Sequence, residues 1–210
     1  IYRNEYFKES KLLLLIGLLM YLIVFFSWII VSYQLPTYII PIAMFSILLT
    51  VLLDTTVSLI SSTILILLVS LLIGNDLDFA VVQFFISFIA ILSVRKLRKR
   101  RQIIATMLTL VFCSLFVFFS VMLFKGIDFL DYNYSTVGYL ALSSFLCPIL
   151  AFGLVPLFES FFGITTDLSL IELLDYDQPL LKKLMEDAPG THTHSVKAVS
   201  YTHLTLPTMS

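Results

Sequence analysis

From Leu12 onward the chain alternates long uncharged apolar runs with short polar breaks. The first run, from Leu12 to about Tyr33, is long enough to cross a hydrocarbon core of about 30 Å as a helix. Trp28 and Tyr33, near its far end, are placed as interface anchors. Pro36 and Pro41 flank the start of a second span that reaches about Leu53, and Asp54-Thr55-Thr56 predicts a tight turn. A third span follows over Val57–Ile73, and Gly74-Asn75-Asp76 is a second turn signal. The fourth span, from about Phe79 to Val94, is short, which leaves its boundaries and its tilt open. The fifth runs from Ile103 to about Phe124 and the sixth from about Val137 to Phe158. Pro148, Gly153 and Pro156 interrupt the sixth. Prolines are tolerated in lipid where neighbours satisfy the freed carbonyls, and a kink is expected there.

Composition agrees with this pattern. Of 210 residues, 59% are hydrophobic and 13% charged, about half the charged share of a soluble domain. Mean hydropathy is +1.00. These values describe a polytopic membrane protein. The net charge of −1 adds little, because the placement of charge says more than its sum. Arg95-Lys96-Leu97-Arg98-Lys99-Arg100-Arg101 is a dense basic run between two apolar segments. It is read as the positive-inside signal of a short cytoplasmic loop rather than as a nucleic-acid patch, so no nucleic acid polymer is expected as a partner. Six spans counted around that loop put both Ile1 and Glu159 on the cytoplasmic side, and the basic residues of the lead-in over residues 1–11 agree. No Asp, Glu, Lys, Arg or His lies near the middle of any span. Ion and proton pathways usually need one, which disfavours a transporter or pump. Asp54 is nearest, at a turn where a helix-terminal role is expected. Cys113 and Cys147 lie in apolar runs and read as small buried hydrophobes.

The character changes at about Ile164. Thr166-Asp167 offers a helix start, and Asp177-Gln178-Pro179 an N-cap with proline in the first turn. The helix that follows sets Leu180, Leu181, Leu184 and Met185 against Lys182, Lys183, Glu186 and Asp187, the pattern of a soluble amphipathic helix. Pro189-Gly190 ends it, and Thr191 can cap another helix with His194 in its first turn. His192 and His194, two apart, do not lie side by side on a helix. On local grounds alone each reads as a surface histidine.

The run from Asp177 to Thr191, followed by His194-Ser195, resembles the entry to the hydrolase domain of the seven-transmembrane-receptor HD hydrolase family. Phe162-Gly163-Ile164-Thr165-Thr166-Asp167-Leu168 is similar to that family's exit from its last span, and the basic loop also falls in place. The resemblance covers about Tyr2 to Ala198. It implies the order extracellular domain, membrane helices, short linker and HD phosphohydrolase, in a bacterial cell membrane with the C-terminal end cytoplasmic. It also implies cyclic di-AMP as substrate and a pair of divalent cations, manganese or iron, with His194 as the first metal ligand. Such a pair activates a water and steadies the phosphoryl oxygens. The family usually has tyrosine where His192 stands, so His192 is not taken as a ligand. The remaining ligands, including the adjacent His-Asp, would lie further along, so this chain is expected to be catalytically inactive by itself.

The expected architecture is therefore all-α. Residues 1–11 lead into the membrane, 12–160 form a bundle of about six spans, and 161–198 form a cytoplasmic linker and the truncated start of an α-helical HD domain. Residues 199–210, which carry Pro207 and many Ser and Thr, do not continue the helix and are expected not to be native. Expected partners are the lipid bilayer and, in the complete protein, the cyclic dinucleotide; homo-oligomerisation is left open. The alternative is a non-catalytic sensor or signal-transmission module. An extracellular domain before Ile1 would also require an odd number of crossings before a cytoplasmic hydrolase. Either an extra crossing, a re-entrant segment or a different arrangement over Tyr33–Ile73 would reconcile this with the six counted.

Overall fold

The computed structural model describes residues 2–95, 101–126, 134–163 and 166, with the side chains of 2–11 and 101 outside that description. Among the described residues the fold is all-α, with no strand. Six helices follow in order: α1 (Tyr2–Ser32), α2 (Ile42–Leu52), α3 (Thr55–Ile73), α4 (Leu77–Val94), α5 (Arg101–Phe124) and α6 (Tyr134–Phe162). Five are long and apolar enough to cross a membrane, α1 through its stretch Leu12–Ser32.

The second expected span takes a different form. Pro36 caps a single 3-10 turn at Thr37–Ile39, Ile40 is extended, and Pro41 caps α2. Each proline fixes φ and removes an N–H donor, so the chain cannot enter one continuous helix here. The 11 residues of α2 measure about 16 Å, half of what a bilayer needs. Its surroundings explain how it persists. Eight of its 11 residues are buried, among them Phe45, Ile47, Leu48 and Leu49 at full burial. A helix apolar all round belongs in the middle of a bundle, and α2 packs against α3, α4 and α6.

Three features set the chain direction. The Ser46–Ser62 and Thr50–Ser58 hydroxyl pairs make α2 and α3 antiparallel. Leu12, Leu13 and Ile16 of α1 share a groove with Leu52, Asp54 and Val57, so the apolar span of α1 starts beside the α2–α3 turn. Asp78, early in α4, pairs with Lys125, just past α5. One end of the bundle thus holds the start of the α1 span, Asp54 and Arg95. The other holds the Gly74–Asp76 turn and Lys125. Near that second end Tyr38 is buried against Phe79 and Phe118, with ring centroids 5.6 and 5.4 Å apart, closing the space above α2.

The turns follow their sequence signals. Gly74 takes φ +108°, the left-handed region where a side chain is strained. Its N–H reaches Leu71 O and that of Asn75 reaches Ser70 O, a Schellman closure of α3. Asp76 then caps α4 by accepting from Phe79 N at 3.1 Å. Helix α6 runs from Tyr134 to Phe162 with both Pro148 and Pro156 inside it.

Candidate functional site

His194, the sequence's metal-ligand candidate, lies outside the described residues, as do His192 and the whole segment from Asp167 onward. Among the described residues no group of three or more His, Cys, Asp or Glu could hold a metal ion. What the described residues do show is the route from the membrane toward that segment.

The route begins at the end of α6. Gly163, at φ +65°, ends the helix and donates its N–H to Glu159 O at 2.9 Å, a closure that a left-handed glycine makes without strain. The Glu159 carboxylate in turn accepts from Thr166 N at 2.9 Å, and Thr166 is buried. One residue thus holds the chain at two points, through its carbonyl and through its side chain. A hydrogen bond to an ionised acceptor is stronger than a neutral one. The first residues after the membrane are thereby tied to the last turn of α6. The sequence reading marked this stretch as the exit from the last span but offered no sign of the Glu159 bond, because a carboxylate reaching seven residues forward has no periodic signature.

Inside the bundle a hydroxyl seam joins α2 to α3. Ser46 Oγ and Ser62 Oγ are 2.8 Å apart. Thr50 Oγ1 donates to Ser58 Oγ at 2.9 Å, and Ser58 Oγ donates to Ser46 O at 2.7 Å. In lipid these bonds have no water to compete with, and small side chains let the two backbones approach closely. On α4 a second polar pair, Gln83 and Ser87, is buried one turn apart, and Ser87 Oγ has no hydrogen-bond partner among the described residues. The sequence reading missed both features. The available signal was the spacing of Ser58, Ser61 and Ser62, which puts three small polar residues on one face of α3.

Asp54 occupies the helix-terminal position expected of it. It is the extended N-cap of α3 and accepts from Thr56 N at 3.3 Å. The backbone N–H groups of Thr55 and Thr56 hold its carboxyl below the ordinary carboxylate range, and Arg95 adds to the effect. A carboxyl held low in the folded state contributes its stability above the ordinary carboxylate pKa and loses it as pH falls through the folded value. Asp54→Asn is expected to keep most of the cap and abolish this acid-range loss. Asp54→Ala should lose the cap at every pH and lower the thermal midpoint by a few degrees. Thermal melts of the detergent-solubilised chain between neutral and acid pH would read both effects.

Comparison with known proteins identifies the family. The family model described as "7TM receptor with intracellular HD hydrolase" matches residues 1–166. The chain belongs to this family. It is 30% identical to the Cyclic-di-AMP phosphodiesterase PgpH of Bacillus subtilis over 166 residues, 76% of this chain and 23% of that protein. It is 47% identical to the Cyclic-di-AMP phosphodiesterase PgpH of Listeria monocytogenes over 60 residues, 29% of this chain and 8% of that protein. The chain thus spans less than a quarter of the length of these curated relatives. No solved structure matches it.

Proposed function

We propose that this chain is the membrane region, with the first turns of the hydrolase, of a metal-dependent phosphodiesterase that hydrolyses cyclic di-AMP. The 210 residues by themselves do not catalyse that reaction. The observation that carries the reading is the family match over residues 1–166, because the segment that resembles the hydrolase entry, Asp177 to Ser195, follows it in the chain. Two relatives that bear the name of this activity add support. In this reading His194 gives one nitrogen to a pair of manganese or iron ions, and residues further along give the rest. The cations would supply water activation and charge neutralisation at the phosphoryl group.

The bundle's own part is transmission. Glu159 ties the exit segment to α6 at Gly163 and Thr166, so a shift of α6 would move the start of the linker with it. This favours a regulated enzyme, in which the membrane helices bias the hydrolase. It also leaves a receptor without catalysis as the second reading. The presence of His-Asp after His194 in the uninterrupted gene separates the two.

The end of the bundle that carries Asp54 and Arg95 faces the cytoplasm in this proposal. The basic run between α4 and α5 and the family's intracellular hydrolase both favour that side. With Cys113 and Cys147 replaced by alanine, Tyr33→Cys should react with an impermeant maleimide on intact cells, and Arg95→Cys only after permeabilisation. The reverse pattern would overturn the orientation. For the activity, the uninterrupted gene product should hydrolyse cyclic di-AMP with manganese, whereas the purified 210-residue chain should not. Turnover by the short chain would overturn its assignment as inactive.

A further inference from the structure

Helices α4 and α5 pack against each other, and the seam between them stays open on the side that looks into lipid. A groove of about 630 Å³ runs between them. Side chains of both helices line it, among them Val81 and Phe85 on α4 and Cys113, Phe116 and Val117 on α5. Ser120 also lines it, but its hydroxyl is spent on Phe116 O at 2.7 Å, so it presents no free donor to the groove. From Leu77 to Ile89 the groove is about 18 Å long at the rise of an α-helix. One leaflet of hydrocarbon is about 15 Å deep. The groove therefore has the length of a single acyl chain lying along the bundle.

One end of the groove is charged and the other is not. Asp78 lines the end where α4 starts and α5 finishes, and it pairs there with Lys125. Both side chains keep exposure, 45% for Lys125 and 30% for Asp78. The pair leaves each group with unused capacity. An ammonium has three donors and a carboxylate about four lone-pair sites, and their mutual bond uses one of each. What completes them is a ligand with an anionic acceptor for Lys125 and a cationic N–H donor for Asp78, set next to each other at the head of an acyl chain.

We propose that the α4–α5 groove is a lipid site for phosphatidylethanolamine in the leaflet opposite the basic loop. One acyl chain lies in the groove, the phosphate accepts from Lys125, and the ethanolammonium donates to Asp78. A phosphatidylglycerol headgroup brings only the anion and meets the Asp78 carboxylate. A choline headgroup has no N–H to give. This inference stands apart from the catalytic reading, because no step of hydrolysis enters it.

The test is to extract the full 210-residue chain, and its variants, with a bilayer-excising polymer from vesicles of equal phosphatidylethanolamine and phosphatidylglycerol. The lipids retained after exchange are then counted by mass spectrometry. The wild type is expected to hold phosphatidylethanolamine over phosphatidylglycerol at about five to one, against one to one in the vesicle, the size of one exposed charge contact. Asp78→Asn should bring that preference down to the vesicle ratio while lipid is still retained. Ser120→Trp, which puts a large side chain into the groove, should lower the retained lipid of either kind. Circular dichroism should show unchanged helicity in both variants. Three results would overturn the proposal: a wild-type ratio equal to that of the vesicle, an unchanged preference in Asp78→Asn, or efficient disulfide cross-linking of Phe116→Cys between copies. The last would mean that a second chain fills the groove.

Discussion

His194→Ala in the uninterrupted protein is expected to lower cyclic di-AMP hydrolysis by about 100-fold or more. Residues that merely orient a metal ligand cost about 10- to 100-fold when replaced, and a ligand itself should cost no less. The loss should come with reduced metal content, read by elemental analysis of the purified protein, and with little change in the melting of the membrane region. His192→Ala is the control. Two positions apart on the helix that Thr191 is expected to cap, the two side chains would face different ways, and activity should stay within about twofold of the parent. If the two substitutions behaved alike, the assignment of His194 would fail, and with it the alignment of the Pro189-Gly190-Thr191 motif to the start of the hydrolase.

The second large effect is expected at the centre of the bundle. Phe45, on α2, is fully buried. Phe45→Ala should destabilise the helical bundle by about 3 kcal/mol, the lower end of the range for a phenylalanine removed from a core. The lower end applies because an exposed phenylalanine in lipid is already among hydrocarbon. Packing is then lost without the transfer term that water would add. Helix α2 is the place where packing counts most, since it is too short to be held by the bilayer itself. Phe116→Ala, on an α5 residue 75% exposed to lipid, should stay within about 0.5 kcal/mol. Unfolding in mixed micelles with increasing denaturing detergent would measure both. Equal losses would mean that α2 is not a structural centre.

The long helices were legible because an uncharged run of about twenty apolar residues has few alternatives in a membrane. Leu12, Ile73, Val94 and Phe124 all fall at or next to the ends that hydropathy suggests. Asp54 and Gly74 were legible because caps and left-handed closures have residue preferences of their own. The shortness of α2 was harder to see. Pro36 and Pro41 announced a disturbed entry, but whether eleven residues can stand at the middle of a bundle depends on what surrounds them, and α3, α4 and α6 are distant in sequence. The hydroxyl seam was obscured for a related reason. Serines are common in membrane helices, and only the antiparallel register of α2 on α3 puts Ser46 opposite Ser62. The metal-ligand candidate was readable from a motif alone, through resemblance rather than through any local physical signal.

The buried polar side chains among the described residues are serines, threonines and one glutamine, with no ionised group among them. A transmembrane voltage acts on displaced charge, at about 2.3 kcal/mol per elementary charge for each 100 mV. Hydroxyls and an amide carry no net charge to displace. In this part of the protein a change in membrane potential therefore has little to push on, and the same groups do not titrate between acid and neutral pH. A stimulus received there has to arrive as a change in packing, in lateral pressure or in what lies against the helices.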